Sequence, residues 1–163
     1  EGTRPEDVVF AGDSAGGGLA LATLVAARDA GLPLPAGAVL FSPWCDLTCS
    51  GETMQTQAKA DVMFNPHLLP EAAKLYLAGR PANDPVASPL FADLRGLPPL
   101  MIHASRHEIL LADSTRLHDR AVVQGYASGA LKLVLAGREV AGAFLLYLLL
   151  ITTTSVWCSW RAI

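Results

Sequence analysis

Gly12-Asp13-Ser14-Ala15-Gly16 decides how this chain is read. The short apolar run Val8-Val9-Phe10-Ala11 precedes it, and an Ala- and Leu-rich stretch from Gly18 to Ala30 follows it. The first has the length and apolarity of a buried strand, the second of a helix. A G-x-S-x-G pentapeptide between strand and helix is the pattern of a nucleophile elbow. The sharp turn holds the serine backbone in a strained conformation, and bulky residues in place of the flanking glycines are expected to clash. It lifts the Ser14 hydroxyl clear of the sheet edge and aims the first N–H groups of the helix at whatever that hydroxyl attacks. Two phosphate-binding alternatives fail on spacing. Gly16 is followed by Gly17-Gly18-Leu19 and not by Lys and Ser or Thr, and a dinucleotide fingerprint from Gly16 meets Leu21 where Gly or Ala is needed.

Outward from the elbow, the pattern alternates strands and helices. The helix runs to about Ala30, where Gly31 supplies a left-handed terminal position and Pro33 stops continuation. Its apolar residues cover most of its circumference, so it is expected to be buried, with Arg28 and Asp29 solvated. A second strand over 36–41 ends at Ser42-Pro43-Trp44. A strand, a helix and a strand this close make a βαβ unit, so the strands are expected to be parallel. Residues 45–60 read as a loop with a short helix near Glu52–Ala58. Pro70–Leu77 reads as a helix stopped by Gly79. A third strand over 99–104 and a helix from Ala112 or Asp113 to Gln124 follow, with Asp113 as its N-terminal cap and Gly125 ending it. A fourth strand covers 131–135. The class is α/β, with about four parallel strands near 8–11, 36–41, 99–104 and 131–135 and flanking helices. That is half of a doubly wound parallel sheet. Residues 1–136 form the folded domain and 137–163 an apolar tail.

Composition narrows the partners. The chain has 163 residues, 52% hydrophobic and 17% charged, with a net charge of −3, which excludes a disordered chain. No basic patch or aromatic-interleaved basic run marks a nucleic-acid surface, so nucleic acid is not an expected partner. Of the three cysteines, Cys45 and Cys49 are close and Cys158 is distant. This odd count without framework spacing points to free thiols and a reducing, cytoplasmic setting. A metal site on Cys45 and Cys49 needs two further ligands, and only His67 is near, so no metal is expected. The chain begins almost on its nucleophile strand, which reads as residues missing upstream. An apolar central strand left as an edge invites self-association.

Three stretches, the elbow among them, carry a resemblance. Gly12-Asp13-Ser14-Ala15-Gly16-Gly17, Ser42-Pro43-Trp44-Cys45-Asp46-Leu47-Thr48, and Ala87 to Leu94 with Gly96-Leu97-Pro98-Pro99 closely resemble bacterial esterases of the hormone-sensitive lipase family, which are α/β-hydrolases. The likeness is collinear from about Asp7 to Gly125. It implies an incomplete α/β-hydrolase whose family hydrolyses short- or medium-chain acyl esters through an acyl-enzyme, without a cofactor. Carried onto this chain, Ser14 is the nucleophile position and the Ala15 N–H the first oxyanion donor. The family's upstream His-Gly-Gly loop, which supplies the other donors, has no counterpart here, nor does the cap segment that shapes acyl and alcohol specificity. His107, in Ser105-Arg106-His107-Glu108, stands where the family's catalytic Asp is expected. The family's base follows the last strand, but the histidines here are His67, His103, His107 and His118. The resemblance therefore implies a serine carboxylesterase by family and a small ester as substrate. It also implies little or no activity for this chain. A catalytically dead remnant or interaction module is the alternative.

The remaining histidines and the tail read as follows. His107 acting as base, oriented by Glu108, is one reading, and a surface loop histidine is the favoured one. His103 reads as a hydrogen-bonded core residue, and His67 and His118 as solvent-facing. Val140–Ile151 is one apolar run of twelve residues, short of the roughly 20 that span a bilayer. A buried or aggregation-prone segment is favoured there over a membrane segment, though extension to Trp160 leaves that alternative open.

Overall fold

Strand order follows chain order. The computed structural model describes residues 2–127 and 129–137, and the apolar run Val140–Ile151 and Cys158 lie outside them. The strands are β1 (Val9–Asp13), β2 (Gly37–Phe41), β3 (Leu100–Ser105) and β4 (Leu131–Ala136). They form one sheet in the order β1-β2-β3-β4, with every pair parallel. The α/β class and the four strands are as expected. The order does not reverse anywhere among the described residues, so no switch point of a doubly wound sheet occurs there.

Two long helices make the covering layer. Helix α1 (Ala15–Asp29) joins β1 to β2; α2 (Thr53–Thr56) and α3 (Leu68–Leu77) lie in the β2–β3 connection; α4 (Leu111–Val123) joins β3 to β4. Register sets which sheet face these helices bury. Ala38 pairs with Leu100 and Leu100 with Leu131; Leu40 pairs with Ile102. These side chains meet Leu21, Leu24 and Val25 of α1 and Leu117 and Ala121 of α4 in one core cluster. Each fully buried Leu or Ile there contributes about 1.5–3 kcal/mol of apolar transfer. The alternate residues line the other face, where Val9 and Val134 remain 57% and 40% exposed. No described helix covers that face.

Several local expectations change. Helix α1 starts three residues earlier than its apolar composition suggested, directly after Ser14, because the elbow itself opens the helix. It is not buried all round: Leu19 is 59% exposed, and the buried positions are Gly17, Gly18, Leu21, Ala22, Leu24 and Val25. Arg28 is not simply solvated. Its guanidinium donates to the carbonyls of Asp93 and Arg95 at 2.6 and 2.7 Å, tying α1 to the loop before β3. Helix α3 ends on Ala78, itself left-handed at φ 48°, one residue before Gly79. Asp113 is not a helix cap. It sits inside the first turn of α4, 3% exposed, and binds a distant loop. No described helix is long and apolar enough to cross a membrane.

Candidate active site

Ser14 stands at the C-terminal end of β1 and the N-terminal end of α1, with φ 51° and ψ −118°. A β-carbon residue at such a φ is strained and needs surrounding structure to hold it. That structure is visible. The Ser14 N–H donates to the Phe41 carbonyl at 2.9 Å, and the Ser14 carbonyl accepts the N–H of Gly17, Gly18 and Trp44 at 3.0, 3.2 and 2.9 Å. The chain following β2 presses on the helix start: a β-carbon on Gly18 would collide with the Trp44 carbonyl oxygen, and one on Gly12 with the Gly16 carbonyl. The expected clash at the flanking glycines thus applies to Gly12. Gly16 has open space where a β-carbon would stand, so its place in the motif has no steric reason among the described residues.

Ser14 opens into a cleft over the C-terminal ends of the strands. Its walls include Asp13, Phe41, Ser42, Met63, Phe64, His103, Glu108 and Leu110, with Ala136 from the end of β4. The lining is largely apolar, which suits an acyl chain. Ala15, the first residue of α1, is exposed beside Ser14, and its N–H belongs to the helix-start amides that have no intrahelical acceptor.

The acid-bearing loop after β3 has a different arrangement from a simple reading of its letters. His107 is half-buried; its N–H donates to Ser105 Oγ at 3.1 Å, and its Nδ1 is buried without a hydrogen-bond partner among the described residues. His107 is not among the residues lining the Ser14 cleft, whereas its neighbour Glu108 is. Glu108 Oε2 accepts the Ser42 hydroxyl at 2.9 Å, and its Oε1 is buried with no hydrogen-bond partner among the described residues. Burial pushes this carboxyl up to about 7 against the hydrogen bonds from Ser42 and the Ser105 backbone. Asp13 is also raised by burial.

Asp61, which the sequence did not single out, shapes the cleft wall. Its Oδ1 accepts the N–H groups of Met63 and Phe64, and its Oδ2 accepts the Ile109 N–H at 2.9 Å. One carboxylate thus ties the apolar rim to the loop that carries Glu108. The only sequence signal was its place just before Val62-Met63-Phe64. His103 is not a core residue, and among the described residues its ring has no hydrogen bond. It faces the cleft, half-buried, with its ring 5.5 Å from that of Phe41. His67 is exposed, and His118 Nδ1 lies 3.1 Å from Asp119. Cys45 and Cys49 are free thiols, Cys45 fully buried.

A family model described as alpha/beta hydrolase fold matches residues 1–133. The chain belongs to that family. Among similar proteins is an acetyl-hydrolase of Streptomyces hygroscopicus, 46% identical over 125 residues, covering 77% of this chain and 42% of that one. An esterase of Acinetobacter venetianus is 38% identical over 122 residues, covering 74% and 40%. Among solved structures, an esterase from the bacterial hormone-sensitive lipase family superposes with a TM-score of 0.76 at 43% identity, covering 83% of this chain and 44% of that one. An esterase/lipase from an uncultured bacterium gives 0.78 at 46% identity over 83% and 44%. The resemblance to esterases of the hormone-sensitive lipase family thus stands as family membership, and the family is one of esterase and lipase hydrolases. The chain spans about two fifths of the length of the curated relatives it matches.

Proposed function

We propose that this α/β-hydrolase chain carries the nucleophile part of a carboxylic ester hydrolase acting on short- or medium-chain acyl esters. The observation that carries the reading is Ser14 at φ 51° on the strand–helix turn, opening into an apolar cleft. In this reading Ser14 Oγ attacks the acyl carbonyl and gives its proton to a base. The Ala15 N–H stabilises the oxyanion, the alcohol leaves with a proton, and water then cleaves the acyl-serine to carboxylic acid and free Ser14. The chemistry asks for no cofactor. The free thiols Cys45 and Cys49 fit a reducing, cytoplasmic setting.

A serine hydroxyl is a weak nucleophile without a base. By the resemblance His107 stands at the family's acid position; it does not line the cleft, and residues 119–163 hold no histidine. These points favour a second reading, in which this chain has little or no turnover and keeps the half-sheet as a remnant or interaction module. A fluorophosphonate probe and p-nitrophenyl butyrate separate the readings. Labelling at Ser14, lost in Ser14→Ala, together with ester turnover supports the esterase. Labelling without turnover indicates a base-poor site. Folded chain that does not label at all overturns the active-esterase reading and leaves the remnant or interaction module.

A further inference from the structure

We propose that Glu108 is a positioning residue for Ser14, acting through Ser42 and the turn that Ser42 begins. The proposal rests on the reading of Ser14 as nucleophile and adds how the elbow is held in place. Ser14 and Ser42 end neighbouring strands, and both have left-handed backbones, at φ 51° and 43°. Neither has the freedom of glycine, so each conformation needs an external hold. For Ser42 that hold comes from the β3 side. Its N–H donates to the His103 carbonyl at 2.7 Å, and its hydroxyl donates to Glu108 Oε2 at 2.9 Å.

The consequence passes along two residues. With Ser42 held left-handed, the chain turns through Pro43 and brings the Trp44 N–H to the Ser14 carbonyl at 2.9 Å. The same turn lays Pro43 against Gly17 and the Trp44 carbonyl against Gly18, contacts that only glycine leaves room for. The nucleophile turn is thus gripped from outside at its carbonyl and at its first helical turn. If Ser42 loses the carboxylate, nothing else described holds its side chain. Relaxation of its backbone toward the extended region would then carry Trp44 away from Ser14. The Glu108 side chain also borders the cleft, so the brace lies between the substrate space and the elbow.

Amide hydrogen exchange by NMR on the full 15N-labelled chain tests this without requiring turnover. The variants are Glu108→Met, which removes the acceptor, and Glu108→Gln, whose amide oxygen can still accept the Ser42 hydroxyl. The Ala38 N–H, bonded to the Pro99 carbonyl at 2.9 Å within the same β2, is the internal reference. The expected result is exchange of the Trp44 amide at least tenfold faster in Glu108→Met, near wild type in Glu108→Gln, with Ala38 unchanged in both. Ser42→Ala should reproduce the Glu108→Met pattern. An unchanged Trp44 amide in Glu108→Met overturns the proposal, as does equal acceleration at Ala38, which marks general loosening of the sheet. No rescue by Glu108→Gln also overturns it. Failure of the underlying esterase reading looks different: an unlabelled Ser14, with the exchange pattern intact.

Discussion

Asp113 holds the backbone of Asp46 across 67 residues of sequence: its Oδ2 accepts the Asp46 N–H at 2.9 Å and, with it, the Cys45 N–H at 2.8 Å. Asp46 itself is fully buried, with its Oδ2 2.8 Å from Arg116 and hydrogen bonds from Thr48 and Ser50. Two carboxylates on α4 and the following-β2 loop thus pin the segment whose Trp44 meets the elbow. Replacing Asp113 with Leu leaves two buried N–H groups unpaired. Each costs about 1–3 kcal/mol, so the variant should lose several kcal/mol in urea unfolding. Asp113→Asn keeps an acceptor oxygen and should lose much less.

The same group predicts a pH profile. Burial first, with Asp46 adding to it, pushes Asp113 up to about 7, and burial raises Glu108 to about 7 as well. In the unfolded chain both titrate at about 4. Between those values the folded state keeps protons that the unfolded state has released, so stability falls as pH rises from about 4 to about 7 and levels off above. The limiting slope is about 1.4 kcal/mol per pH unit for each group. Asp46, held low by its hydrogen bonds, works in the opposite sense and stabilises above about 4. Thermal unfolding is therefore expected at a higher temperature near pH 5 than at pH 8, with a shallower dependence in Asp113→Asn. A midpoint that rises toward pH 8 would contradict the assignment.

Strain at the elbow should be measurable. Ser14 at φ 51° and ψ −118° lies where only glycine is comfortable. Both Ser14→Ala and Ser14→Gly remove the hydroxyl and should abolish probe labelling. Glycine also releases backbone strain of order 1–3 kcal/mol, part of which its extra unfolded-state entropy cancels. Ser14→Gly is expected to unfold later than Ser14→Ala by roughly 1 kcal/mol. Equal stability of the two would mean the turn is not strained.

What the sequence made legible was what depends on neighbours in the chain. Val9-Phe10-Ala11 and Leu100-Met101-Ile102 are apolar runs beside turn residues, so β1 and β3 could be read directly. The strand ends were harder. Gly12 and Asp13 join β1 only because they pair with Leu40 and Phe41, a fact of register. The site divided in the same way. Ser14 announces itself through local turn chemistry. Asp113 looks like a cap because the local signal for a cap is an acid near a helix start, while its true partners are amides 67 and 68 residues away. His103 reads as core in the sequence and faces the cleft in the structure, because strand periodicity shows that a residue alternates but not which face is covered. In the sequence Glu108 stands out only as a neighbour of His107. Its bond to Ser42 joins the ends of two strands and has no local signature.

The glycines of the motif should separate under mutation. A β-carbon on Gly18 meets the Trp44 carbonyl oxygen, a backbone atom that cannot swing aside. Gly18→Ala is expected to cost about 1–3 kcal/mol through forced backbone shifts. Gly16 faces open space within the same helix, where alanine has better helical propensity, so Gly16→Ala should be neutral or stabilising by up to about 1 kcal/mol. Urea denaturation of the two variants checks the contrast, and a destabilised Gly16→Ala would show a packing role the described residues do not reveal.

The open sheet face and the β1 edge lead to the last prediction. Val9, Ala11, Val39, Met101 and Val134 alternate with the buried residues, and β1 lies at one end of the described sheet with no strand beyond it. Val9 and Val134 stay substantially exposed. Apolar side chains next to unpaired strand N–H and C=O groups favour pairing with another copy. The chain is expected to self-associate as concentration rises, read by light scattering. A lysine on the edge strand opposes pairing by placing a charge where two edges meet. Val9→Lys should therefore shift the distribution toward monomer more than Met101→Lys, which charges the same face from the interior strand β3 and leaves the edges free. Monodisperse wild-type monomer at high concentration would overturn this. Equal effects of the two lysines would place the contact on the sheet face instead of the β1 edge.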